Sequence, residues 1–133
     1  MSNPVASETK QTPRETAVES IGQGRFLLKC PSEMAWRARV ELVESLTETT
    51  GGQMPIEVIL DLGGVDFLNS AGIGAIFSVR KHVVDGGGTV VICNARPVIR
   101  RLLATVNLPA LVPTLTDAGE ARRFLDEGGR SEQ

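Results

Sequence analysis

The chain has 133 residues, 41% apolar, 23% charged and 4% aromatic, with a formal net charge of −2. That length holds one domain with an ordinary core plus a tail, and the near balance of Lys and Arg against Asp and Glu leaves no basic field to draw it onto nucleic acid. No apolar run approaches the ~20 residues needed to span a bilayer, so no membrane insertion is expected.

Residues 1–15 are rich in Ser, Thr, Glu, Pro and Gln. They cannot bury enough apolar surface to offset chain entropy, which predicts a disordered N-terminal tail. They also lack the apolar stretch of a secretory leader, so the expected location is the cytoplasm. Strands are expected over 18–21 and 25–30, around the hairpin signal Gly22-Gln23-Gly24. A helix is predicted over 35–48, with Trp36, Val40, Val43 and Leu46 on its apolar face and Trp36 as a packing residue. Gly51, Gly52 and Pro55 then break the chain.

Residues 56–62, Ile-Glu-Val-Ile-Leu-Asp-Leu, form the strongest strand signal. They are nearly continuous in branched apolar residues, as parallel strands covered on both faces are. After a loop, a helix is predicted over 70–85, striped by Ile73, Ile76, Phe77, Val83 and Val84 and ended by the left-handed tolerance of Gly86-Gly87-Gly88. Residues 89–94 read as a second β-branched strand. Pro97 suits a helix's first turn, and Ile99, Leu102, Leu103 and Val106 follow at i, i+3, i+4, i+7. Pro109 and Pro113 place a short strand over 111–115 at a sheet edge. Asp117 caps a last helix over 118–126, packed through Ala121, Phe124 and Leu125. Residues 128–133 read as a second disordered tail, which leaves 16–127 as the domain. Cys30 and Cys93 each end an apolar run and read as buried thiols. Their separation does not fit a metal site.

This alternation predicts an α/β fold: a mixed sheet of four or five strands with about four helices. Such sheets place their sites beyond the carboxyl ends of the parallel strands. Two loops meet that rule, residues 63–70 and Ala95-Arg96-Pro97.

The most informative stretch is Asp66-Phe67-Leu68-Asn69-Ser70-Ala71-Gly72-Ile73-Gly74. Two glycines in a first helical turn cost about 1 kcal/mol each relative to alanine, and a local rule broken at a strand's carboxyl end points to function. Small residues there let another molecule approach the backbone. The free N–H groups of the turn favour negative charge, so a phosphate on Ser70 would be tolerated while changing the surface by nearly two charges. The competing structural reading makes Asn69 or Ser70 only a helix cap, and Gly72 and Gly74 only aids to packing. His82 lies over three turns from Ser70 and cannot act as its base; it reads as a surface or boundary residue. Arg96, Arg100 and Arg101 form either a solvated helix face or part of a partner or phosphate-docking surface. No phosphate loop and no G-x-S-x-G elbow is found. No enzyme, catalytic set, metal or cofactor is therefore expected.

The run from residue 58 through Gly64-Val65-Asp66-Phe67-Leu68-Asn69-Ser70-Ala71-Gly72-Ile73-Gly74 resembles the STAS signature, D-L-S-G-V-x-F-[IML]-D-S-[SA]-G-[LI]-G after an apolar strand. The likeness continues through the triple glycine, the strand to Asn94 and the helix begun by Pro97, and covers residues 18–125. It implies an anti-sigma factor antagonist: a protein-binding module with Ser70 as phosphoacceptor and a GHKL-type anti-sigma factor as kinase and partner. Unphosphorylated antagonist binds that kinase and frees a sigma factor. Their common location beyond the strand ends makes Asp66, Phe67, Leu68, Asn69, Ser70, Ala71, Gly72, Gly74 and Arg96 the expected partner surface. The chain departs from the pattern at Asn69, where kinase-linked members usually carry Asp, and at Gly63, where they carry Ser. The alternative within the same family is a non-phosphorylated STAS subunit of a lipid-transport ATPase complex.

Overall fold

The structure is a computed structural model that describes residues 16–129. Strands β1 (Ala17–Gly22) and β2 (Arg25–Lys29) form the expected antiparallel hairpin. The chain continues through β3 (Glu33–Met34), α1 (Ala38–Thr50), β4 (Glu57–Asp61), β5 (Phe67–Leu68), α2 (Ser70–Asp85) and β6 (Thr89–Cys93). It closes with α3 (Pro97–Thr105), a 3-10 turn (Leu108–Ala110), β7 (Thr114–Leu115) and α4 (Ala118–Asp126). Five strands make one sheet in the order β1-β2-β4-β6-β7, parallel at every junction after the first.

The mixed α/β sheet expected from the alternation is thus present, with β4 at its centre and β7 at its edge. Successive residues of a strand face opposite ways, and both faces are covered. Phe26, Leu28, Val58, Leu60, Val90 and Ile92 pack against α1, α2 and α3. Ile59, Val91 and Cys93 pack against Ala121 and Leu125 of α4. Two-sided cover explains why Val58, Ile59 and Leu60 are all fully buried. Cys30 and Cys93 are free, buried thiols. Among the described residues no helix is long and apolar enough to cross a membrane.

Helix α2 spans the expected residues and ends in a Schellman motif. Gly87 takes φ +91°, its N–H donates to Val84 O at 2.9 Å, and Gly88 N–H donates to Val83 O at 2.9 Å. The same motif closes α4, with Gly128 N–H on Leu125 O and Gly129 N–H on Phe124 O. Gly128 and Gly129 therefore belong to the folded end of α4 and not to the tail expected from residue 128. The tails expected over 1–15 and 130–133 lie outside the described residues.

The apolar face expected for the first helix is corrected. Helix α1 begins at Ala38 and buries Ala38, Leu42, Leu46 and Thr50. Trp36 does not pack: it is 73% exposed, and Val40 is 58% exposed. The series 36-40-43 and 38-42-46 both have helical spacing, so period alone does not choose between them. Contact with the sheet and α2 does. Likewise α3 buries Ile99 and Leu103 but leaves Leu102 and Val106 exposed. The two-residue parallel ladder between β3 and β5 was not expected at all.

Candidate functional site

The carboxyl ends of β2, β4 and β6 surround a cleft of about 470 Å³, lined by Lys29, Cys30, Ser32, Asp61, Gly63, Gly64 and Asn94. Asp61 fixes the start of the loop after β4. Its Oδ1 accepts from Gly63 N–H at 2.8 Å and from Asn94 Nδ2 at 3.2 Å. Burial, then the nearby Asp61 carboxylate, pushes both thiols up, Cys93 to about 12, with Asp117 adding to that shift. Protonated thiols are neither nucleophiles nor metal ligands at neutral pH.

Further along, the loop is braced from both sides. Ser32 O accepts from Asp66 N–H at 2.8 Å and from Phe67 N–H at 3.1 Å, and Met34 O accepts from Asn69 N–H at 3.3 Å. On the other side Arg96 Nη1 meets Asp66 Oδ1 at 2.7 Å, and its Nε donates to Gly63 O at 3.4 Å. The structure therefore ties together the two loops that sequence reasoning singled out. Both members of the ion pair are more than half exposed, so its contribution to stability is about 0–1 kcal/mol. Its effect is to fix the loop's position.

Asn69 is the N-cap of α2. Its backbone is extended, at φ −117° and ψ −173°, and its Oδ1 accepts from Gly72 N–H at 3.0 Å. Ser70 is then the first helical residue, exposed to solvent. Its hydroxyl makes no hydrogen bond to any described residue. The glycines differ too. A Cβ on Gly72 would fall on the Met34 carbonyl and lie 2.8 Å from Leu68 Cδ1, whereas one on Gly74 would meet only Arg39 Nη1 at an ordinary 3.8 Å. Helix building thus accounts for Asn69 and Gly72 but not for Ser70 or Gly74.

Asp66, Phe67, Asn69, Ser70 and Arg96 are exposed, while Ala71 and Gly74 are half-buried. Two expected surface residues are corrected. Leu68 is only 8% exposed and packs in the core, and Gly72 is buried beneath Met34. The alternation of β5 turns Phe67 outward and Leu68 inward. Sequence reasoning missed the neighbourhood of Trp36 and Arg39. Arg37 stacks over the Trp36 ring at 5.4 Å, and Arg39 approaches Gly74. The β3–β5 ladder and the packing of α1 on α2 bring Arg39 to Gly74, one turn along from Ser70, and two-residue strands leave no periodic signal.

Residues 12–121 match the family model described as STAS domain. The chain belongs to the STAS domain family. A curated relative is BtrV of Bordetella bronchiseptica, a candidate anti-sigma factor antagonist. It is 25% identical over 88 residues, which cover 66% of this chain and 76% of BtrV. Among solved structures, a candidate anti-sigma factor antagonist of Thermotoga maritima aligns with TM-score 0.71 and 18% identity, over 84% of this chain and 94% of that one. The anti-sigma factor antagonist SpoIIAA, in its unphosphorylated form, aligns with TM-score 0.67 and 14% identity, over 85% of this chain and 96% of that one. At those identities the structural likeness is one of fold, and the STAS fold positions Ser70 at the start of the helix that follows the central strand.

Proposed function

We propose that this STAS domain is an anti-sigma factor antagonist, a binding module whose partner surface is switched by phosphorylation of Ser70. The observation that carries the reading is the division of labour at the helix start: Asn69 supplies the cap, leaving an exposed Ser70 hydroxyl with no structural task. BtrV and the structural neighbours support the partner class, and SpoIIAA is described by an unphosphorylated form. The partner is a GHKL-type anti-sigma factor that is also the kinase. Unphosphorylated domain binds it and releases sigma factor.

A phosphate on Ser70 adds nearly two negative charges to a surface built around a neutral hydroxyl. The free N–H groups of the first turn of α2 meet part of that charge, so the fold persists. The partner instead faces repulsion and desolvation. Incubation of the protein with ATP and the GHKL kinases of its own genome, followed by mass spectrometry, tests the assignment. The expected product carries one phosphate, on Ser70, and none on half-buried Ser78 two turns further along. A kinase that binds the domain yet leaves it unmodified would instead favour the docking subunit of a lipid-transport ATPase complex. Asn69 fits that outcome, because its amide keeps the helix cap while lacking the carboxylate of kinase-linked members.

A further inference from the structure

We propose that Arg39 of α1 receives the phosphate on Ser70 and holds it against the protein's own surface. This rests on the reading of Ser70 as the phosphoacceptor. Strands β2, β4 and β6 run parallel, so the two crossover helices between them also run parallel and begin side by side beyond the same strand ends. Arg39 is the second residue of α1 and Ser70 the first of α2.

Gly74 connects the two. It lies four residues after Ser70, on the same helix face, where Cβ positions are roughly 5–6 Å apart. A helical Cβ leans toward the N-terminus, which at Gly74 is toward Ser70. Arg39 Nη1 stands 3.8 Å from that Cβ position. A seryl phosphate and the long arginine side chain together bridge the remaining gap. Gly74 thereby acquires a purpose that packing does not give it: any side chain there would crowd the route between guanidinium and phosphate.

Arg39 is also unoccupied in charge terms. Among the described residues it forms no hydrogen bond or ion pair, whereas Arg25 holds Glu57 and Asp126, and Arg96 holds Asp66. Arg37 is committed to the Trp36 ring. The nearby carboxylates are Asp66, offset by Arg96, and the solvent-facing Glu33 and Glu41 on the neighbouring β3 and α1. A phosphoserine would find in Arg39 a planar donor fork suited to its oxygens. The switch then has two parts: an anion appears at Ser70, and a cation that a partner's carboxylate could use is withdrawn.

The test installs phosphoserine at position 70 of the full chain by genetic code expansion, which needs no kinase. Phosphorus NMR across pH then reads the second ionisation of the phosphate, ordinarily near 6. A neighbouring guanidinium favours the dianion, so the midpoint in the otherwise unchanged protein is expected roughly half a unit or more below that in Arg39→Gln. Arg39→Lys should fall between them, Gly74→Leu should move the midpoint the same way as Arg39→Gln, and Arg37→Gln should leave it unchanged. The melting temperature of unphosphorylated Arg39→Gln should match the parent. Equal midpoints in the parent and Arg39→Gln would overturn the proposal while leaving phosphorylation of Ser70 intact. Failure of every kinase to modify Ser70 would undo the phosphoacceptor reading without moving these midpoints.

Discussion

Asn69 and Ser70 are adjacent polar residues on which the start of α2 makes opposite demands. Either residue type can cap a helix, so sequence alone leaves the choice open; the extended backbone at Asn69 decides it. Asn69→Ala should lose the bond to Gly72 N–H and about 1 kcal/mol of stability. Ser70→Ala should stay within roughly 0.5 kcal/mol of the parent, as surface substitutions do. The two glycines should separate in the same way. Gly72→Ala drives a methyl into the Met34 carbonyl and should cost about 1–3 kcal/mol. Gly74→Ala meets only ordinary contact and should gain up to about 1 kcal/mol from helix propensity. Denaturant midpoints at constant m-value check all four. A Gly72→Ala protein as stable as the parent would show that the β3–α2 contact is looser than described.

At the scale of elements, legibility followed signal length. Helix α2 could be read to within a residue at its start, where two capping types stand side by side, and its end was marked by three glycines. Strand β4 could be read because five of the seven residues 56–62 are branched and apolar. Strands β3 and β5 could not, since two residues establish no period, and they are what position the site. They hold the loop by backbone bonds from Ser32 and Met34. The face of α1 was misread because apolar residues recur at helical spacing on both of its sides. The pairing of Asp66 with Arg96 was half legible: sequence placed both in loops beyond the strand ends, and only the fold brings them to 2.7 Å. That pair makes a prediction about one element. Arg96→Ala should speed amide hydrogen exchange over residues 63–69 several-fold while β4 and the melting temperature stay nearly unchanged. Unaltered exchange in the loop would show that β3 alone holds it.

The whole molecule is a sheet with helices on both faces, and its two thiols lie within those layers. Burial raises both thiols above their ordinary 9.0. The folded state therefore holds its thiol protons more tightly than the unfolded chain does. The stability this contributes is full below pH 9 and is lost as pH rises toward the Cys93 value of about 12. Each thiol adds a slope of at most about 1.4 kcal/mol per pH unit over that window. Urea unfolding between pH 8 and 10.5 should show the decline, with a shallower slope in Cys93→Ala; a flat profile in the parent would contradict the described burial.

The proposed switch belongs to this same scale, because phosphorylation of Ser70 would change what the assembled surface binds without changing the fold. Its most direct measurement is the affinity of the domain for the proposed partner, a GHKL-type anti-sigma factor of its own genome, determined by titration calorimetry with Ser70 unmodified, phosphorylated, and replaced in Ser70→Ala and Ser70→Asp. The account predicts tight binding for the unmodified protein and Ser70→Ala. It predicts a loss of roughly 2–5 kcal/mol for the charged forms, the range for an unpaired charge buried in an interface. Equal affinities for all four forms would contradict it.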